Sequence, residues 1–259
     1  MNRIKKTFAD LNNQAALVPY IVAGDPHPQQ TVDIMHALVE SGADVIELGM
    51  PFSDPVADGP TNQAAMIRAI DAGTTVAVVL DIVKQFRQTD QQTPIVLMGY
   101  VNPIEIMGYE LFAKTASDAG VDGVLIVDCP PEEAQTFHAL MQQYQIDMIF
   151  LIAPNTSTAR IKMICEQASG YLYYVSLKGV TGTKAIEIEP LQAKLDEIRQ
   201  FTQLPICVGF GIKTPETAKQ VADIADGVVV GSALVERVAS ESLQTVKSFI
   251  KSLSLKCTE

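Results

Sequence analysis

Residues 44–60 read DVIELGMPFSDPVADGP. The segment opens as a short apolar strand at Val45–Ile46, with Glu47 at the strand's end. A loop stiffened by Pro51, Pro55 and Pro60 follows, carrying Asp58 just before Gly59. A sheet fixes an acid on a strand, and an acid on the overlying loop can reach back toward it. Two carboxylates held in different surroundings can take different proton states, as acid–base work on one substrate requires. On spacing alone the pair reads equally as an edge charge at Glu47 and a turn-forming Asp-Gly at Asp58.

Outward from this segment the same unit recurs. Short strands, β-branched and nearly continuous in apolar residues, are expected at 16–22, 45–48, 95–98, 124–127, 149–152, 172–175, 206–208 and 228–230. Such runs suit strands buried on both faces. Helical periodicity fills the gaps at 29–41, 61–72, 75–88, 106–119, 131–144, 157–168, 190–200, 214–223 and 240–253, with a short amphipathic helix at 3–10 ahead of the first strand. Eight strands alternating with helices predict an α/β fold, a single (β/α)8 TIM barrel spanning 1–259 with a short N-terminal helix and extra helices. An open doubly wound sheet is the alternative, but no Gly-rich fingerprint follows the first strand. Pro19 is awkward inside a central strand.

Composition narrows the function classes. The chain has 259 residues, 47% of them hydrophobic, and a formal net charge of −11. That balance argues against a broad nucleic-acid or anionic-membrane footprint, so a phosphorylated substrate would need a locally built anion site. Cys129, Cys165, Cys207 and Cys257 form no CxxC pair and read as reduced thiols of a cytoplasmic protein. His27, His36 and His138 are scattered, so no metal site is expected. No apolar run reaches membrane-spanning length, and the start MNRIKKTFAD lacks a signal-peptide core.

Working residues of a barrel collect at the carboxyl ends of its strands. The clearest signal there is Gly209-Phe210-Gly211 after the seventh strand and Gly231-Ser232 after the eighth. Glycines let backbone amides approach an anion, and Ser232 opens a short helical run at 233–237 whose first amides are unpaired. Loops after strands seven and eight, with a short extra helix, form the recurrent phosphate site of such barrels; ordinary tight turns are the plain alternative. The long loop 176–189 suits a lid. Either Tyr173 or Tyr174, which face opposite ways, lines the barrel mouth or packs the core. Glu132-Glu133 at a helix start are explained by the helix dipole.

Taken together, ELGMPFSDPVADGP, MGYVNPI, VDCPPEE, YYVSLKGVTG, GFGI and VVVGSALV resemble the tryptophan synthase α subunit, from about Phe8 to the final helix. The resemblance implies a (β/α)8 lyase that cleaves indole-3-glycerol phosphate to indole and glyceraldehyde 3-phosphate. It also implies a partner β subunit, in an α2β2 assembly, that carries the pyridoxal phosphate, leaving this chain without a cofactor. By the same resemblance Glu47 is the acid–base glutamate and Asp58 the aspartate at the indole nitrogen. Tyr173 is a site tyrosine, and Phe210, Tyr100 and Leu125 wall the indole pocket. Gly182, Gly211, Gly231 and Ser232 hold the phosphate, and Thr181 closes the lid onto the loop aspartate. Cys129 stands where Leu is usual, and Leu177-Lys178 where Arg-Ala often stands.

Two rival readings remain. Lys178 could serve as a Schiff-base nucleophile, which needs a depressed pKa and a carbonyl substrate. A non-catalytic barrel subunit could instead use Pro51–Pro60 and Asn102-Pro103 as a docking surface.

Overall fold

In the computed structural model, which describes residues 2–176, 187–209 and 211–254, nine parallel strands form one sheet curled into a barrel. They are β1 Ala16–Val22, β2 Ile46–Gly49, β3 Ile95–Gly99, β4 Gly123–Ile126, β5 Asp147–Met148, β6 Phe150–Ile152, β7 Leu172–Val175, β8 Ile206–Gly209 and β9 Gly227–Val230. The order β5-β4-β3-β2-β1-β9-β8-β7-β6 makes the first and last strands neighbours and brings the two ends of the sheet together. At that seam the fifth strand of the barrel is split in two: β5 pairs with β4, β6 pairs with β7, and only Ile149 lies between them. The backbone N–H of Ile149 still donates to the Val124 carbonyl, 2.9 Å away. This is the expected (β/α)8 barrel, with one strand split by the handover between neighbours.

Strand periodicity sorts the core into two parts. Along β1, Ala16, Val18, Tyr20 and Val22 join the cluster inside the barrel, while Leu17 and Ile21 join the layer under the helices. The same alternation holds Ile46 and Leu48 outward and Val45 inward on β2, and Leu172 and Tyr174 outward against Tyr171 and Tyr173 inward at β7. Pro19 is tolerated because β1 changes partners there. It is the last residue in register with β9, opposite Val230, and Tyr20 is the first in register with β2, opposite Glu47.

Twelve helices are found among the described residues. Those this account needs are α1 Arg3–Asp10, α3 Pro60–Asp71, α5 Val101–Met107, α6 Tyr109–Ala119, α7 Gln135–Gln143, α8 Thr158–Gln167 and α11 Ser232–Ser240. The helix expected at 106–119 is two helices. Gly108, at φ +89°, breaks the run, and the segment after Tyr100 that reads as a loop folds into α5. Pro103 is accommodated there because the first turn of a helix has no use for its missing N–H. The expected helix at 131–144 starts only at Gln135. Glu132 therefore does not serve a helix dipole; it forms an ion pair with Arg160 of α8.

Helix α1 closes the amino-terminal end of the barrel. Asn2 caps it by accepting from the Lys5 N–H, and Ile4 is fully buried among the interior side chains. Arg3 binds Asp122 at 2.9 Å, and the other Asp122 oxygen takes Arg87 at 2.8 Å and the Ile95 N–H at 2.8 Å. A buried carboxylate with this many donors avoids the cost of an unpaired charge.

Candidate active site

The site grows from the period of β2. With Ile46 and Leu48 committed to the outer layer, Glu47 must project into the barrel. It is the second residue of β2 rather than its terminus, a correction to the strand-end position expected from the sequence, and it is completely buried. One carboxylate oxygen accepts from the Tyr171 hydroxyl at 2.6 Å, and Oε2 has no partner among the described residues. Burial pushes the Glu47 pKa up to about 7, and the Tyr171 bond only partly offsets it. An acid poised there can give and take a proton near neutral pH.

Asp58 is built differently. Its loop turns through an Asp58 N–H bond to the Pro55 carbonyl at 3.0 Å and runs into α3. Gln63 on α3 ties back to the Asp58 carbonyl at 2.8 Å. The carboxylate accepts from the Tyr100 hydroxyl at 2.6 Å and from the Asn62 amide at 3.1 Å. Tyr100 in turn accepts from the Ala57 N–H at 3.1 Å and packs on Phe52, ring centroids 5.2 Å apart. Burial and the Asp58 carboxylate keep the Tyr100 phenol protonated, so it remains a donor. Tyr100 itself directly follows β3 at the N-cap position of α5, where the Val101 N–H donates to Asp128 at 2.8 Å.

Tyr100 and Leu125, the expected wall residues, and the site tyrosine Tyr173 all belong to the interior cluster, as does Tyr171, which bonds Glu47. Of the paired tyrosines it is Tyr173 that faces inward, while Tyr174 lies in the outer layer. Its neighbours include both acids: charge on Glu47 and Asp58 adds to burial in raising its pKa. At the turns expected to hold a phosphate, Gly211 has φ +82°, and Gly231 leads into α11, whose start carries no side-chain cap. Gly211 and Ser232 are exposed. The helix at Ser232 is longer than the short run expected, nine residues. Gly209 has a different use from the one expected of it. A Cβ there would lie 2.0 Å from the Tyr173 hydroxyl, so its bareness makes room for that ring. Phe210, Thr181, Gly182 and the Leu177-Lys178 pair lie outside the described residues.

Two interior residues were not singled out in the sequence. Tyr171 bonds Glu47, and Tyr20 stands directly beside it on β1. The available signal was alternation: once β1 and β7 are placed, residues 20, 171 and 173 fall on inward positions. Among the described residues no cluster of His, Cys, Asp and Glu could hold a metal ion. A cavity of about 1060 Å3 opens against α1 at the opposite end of the barrel, lined by Arg3, Lys6, Asp10 and Asp122 among others. It contains neither acid, and those four charges are already paired with one another.

Comparison with known proteins agrees with this geometry. The family model described as Tryptophan synthase alpha chain matches residues 8–259. A tryptophan synthase alpha chain of Dechloromonas aromatica is 54% identical over 255 residues, covering 98% of this chain and 95% of that one. That of Marinobacter nauticus is 54% identical over 241 residues, covering 92% and 89%. The crystal structure of tryptophan synthase subunit alpha from Legionella pneumophila superposes with a TM-score of 0.91 at 48% identity, covering 98% of this chain and 97% of that one. The chain belongs to the tryptophan synthase alpha chain family.

Proposed function

We propose that Glu47 and Asp58 carry out the reaction of this family, the retro-aldol cleavage of indole-3-glycerol phosphate to indole and glyceraldehyde 3-phosphate. The chain is a lyase of tryptophan biosynthesis. Its hard step is losing indole as a leaving group, which requires protonation at the ring carbon that bears the side chain. Glu47 supplies that proton and then accepts one from the glycerol hydroxyl next to the breaking bond, whose carbon becomes the aldehyde. Asp58 stabilises the positive ring nitrogen, which keeps its proton while the electrons of the breaking carbon–carbon bond restore aromatic indole. Tyr100, Leu125 and Phe210 wall the ring, and Tyr173 is a further site tyrosine. Gly182, Gly211, Gly231 and Ser232 hold the phosphate, and Thr181 closes the lid over the loop aspartate. The observation that carries this reading is the buried Glu47 with one carboxylate oxygen unpartnered among the described residues, facing the same interior as Tyr100 and Tyr173.

The family works with a β subunit. We assign this chain, as a single domain spanning 1–259, to an α2β2 assembly in the cytoplasm, with pyridoxal phosphate held by the β subunit alone. Among the described residues no helix is long and apolar enough to cross a membrane. Val56 on the Pro-rich loop and Ile106 on α5 are more than four-fifths exposed, on segments that meet through Tyr100. Large apolar side chains standing in solvent beside the site suit a protein interface. Docking there would order the Asp58 loop, so the docking and catalytic readings join rather than compete. The test is indole release from indole-3-glycerol phosphate by the chain alone and with β subunit added. Slow release that accelerates with the partner is expected; no indole in either case would overturn the assignment.

A further inference from the structure

Tyr20 is the interior side chain that the described structure leaves unexplained. It is 3% exposed, and its hydroxyl has no hydrogen-bond partner among the described residues. An orphaned buried hydroxyl costs stability, so its retention calls for a reason. Its position suggests one. The ring runs between the two ends of the site: a Cβ on Gly231 would lie 3.7 Å from Tyr20 Cδ1, and one on Gly49 only 2.5 Å from the Tyr20 hydroxyl. Gly49 closes β2 two residues beyond Glu47, and Tyr20 is the register partner of Glu47 itself. The bare Gly49 thus leaves room for the Tyr20 hydroxyl at the β2 position two residues beyond Glu47. Burial first, then charge on Asp58 and Glu47, raises the Tyr20 pKa, so the group stays a protonated donor.

A substrate whose phosphate lies at Gly231–Ser232 and whose ring is protonated by Glu47 must lay its glycerol carbons across this interval. We propose that the Tyr20 hydroxyl contacts the substrate, donating a hydrogen bond to the glycerol oxygen next to the scissile bond; this rests on Glu47 and Gly231–Ser232 marking the two ends of the bound molecule. The oxygen so held keeps its own proton directed at Glu47. As that proton leaves and the carbon–carbon bond breaks, the oxygen gains negative character before it becomes the aldehyde oxygen. A fixed donor is worth most at that moment.

The test is Tyr20→Phe in the full chain, which removes one oxygen atom and nothing else. We expect kcat/KM for indole-3-glycerol phosphate to fall about tenfold, chiefly in kcat, the loss fitting one hydrogen bond to substrate. Binding of 3-(indol-3-yl)propyl phosphate, which lacks both glycerol hydroxyls, should be unchanged. The melting temperature should be no lower, because an unpartnered hydroxyl has been removed. Wild-type kcat/KM overturns the proposal. So does an equal loss of affinity for the hydroxyl-free analogue, or a lower melting temperature with normal kcat, since either assigns the residue to packing. Glu47→Gln in parallel separates the two levels: undiminished turnover by that variant rejects the site reading, whereas a silent Tyr20→Phe beside a dead Glu47→Gln rejects the hydroxyl alone.

Discussion

Glu47 and Asp58 are chemically near-identical acids in opposite kinds of surroundings. Glu47 sits on a strand, wholly buried, with one hydrogen bond and a bare oxygen. Asp58 sits on a loop, with two side-chain donors on its carboxylate and its backbone tied into the next helix. The first carboxylate is desolvated and partly bare, the second held by donors. One fold therefore gives two acids eleven positions apart contrasting surroundings.

The sharpest way to break this contrast is to delete each acid isosterically. Glu47→Gln should lower kcat by roughly 10²- to 10⁴-fold while substrate still binds, and Asp58→Asn should cost less, because an amide still reaches the ring nitrogen. Comparable losses from the two would erase the division of labour; rapid-quench turnover beside equilibrium binding measures it.

Next in size is a stability effect that only the desolvated acid should show. Burial raises the folded pKa of Glu47 from 4.5 to about 7. Between those values the folded state binds more proton than the unfolded, so stability falls as pH rises through that window and levels off above it. Glu47→Gln should therefore be the more stable protein above pH 7, by on the order of 3 kcal/mol, and indistinguishable from wild type below pH 4.5. Denaturant melts at pH 4 and pH 8 check the sign. In wild type, kcat/KM should decline above about pH 7 as the proton to be donated is lost.

The smallest effect belongs to the anchored side. Tyr100→Phe removes the donor at 2.6 Å from Asp58 and frees the Ala57 N–H. About tenfold in kcat/KM is expected, and added β subunit should recover part of it if docking orders the same loop.

The barrel was readable because its strands are short, doubly buried and, apart from the long interval between β2 and β3, spaced by about one βα unit. The Pro-rich loop marked Glu47 and Asp58 as a candidate pair without deciding between catalysis and turn chemistry, and the glycines after the seventh and eighth strands marked candidate anion turns. What escaped depends on distance in three dimensions. A tyrosine in an apolar strand looks the same whether it packs or points at an acid, so Tyr20 and Tyr171 emerged only once β1, β2 and β7 were in register. Glu132 looked like a helix-start charge because its partner, Arg160, is 28 residues away. The break at Gly108 depends on a backbone angle that helical periodicity does not register.

The plug formed by Ile4 carries a lesson for anyone reshaping this enzyme. Phe8 of the same helix lies 6.0 Å, ring to ring, from Tyr171, and Tyr171 grips Glu47. The floor of the barrel is thus mechanically continuous with the buried Glu47 above it. Designers hunting for new substrates at the rim should leave that basement untouched, because repacking it would loosen the acid without a single rim residue having changed.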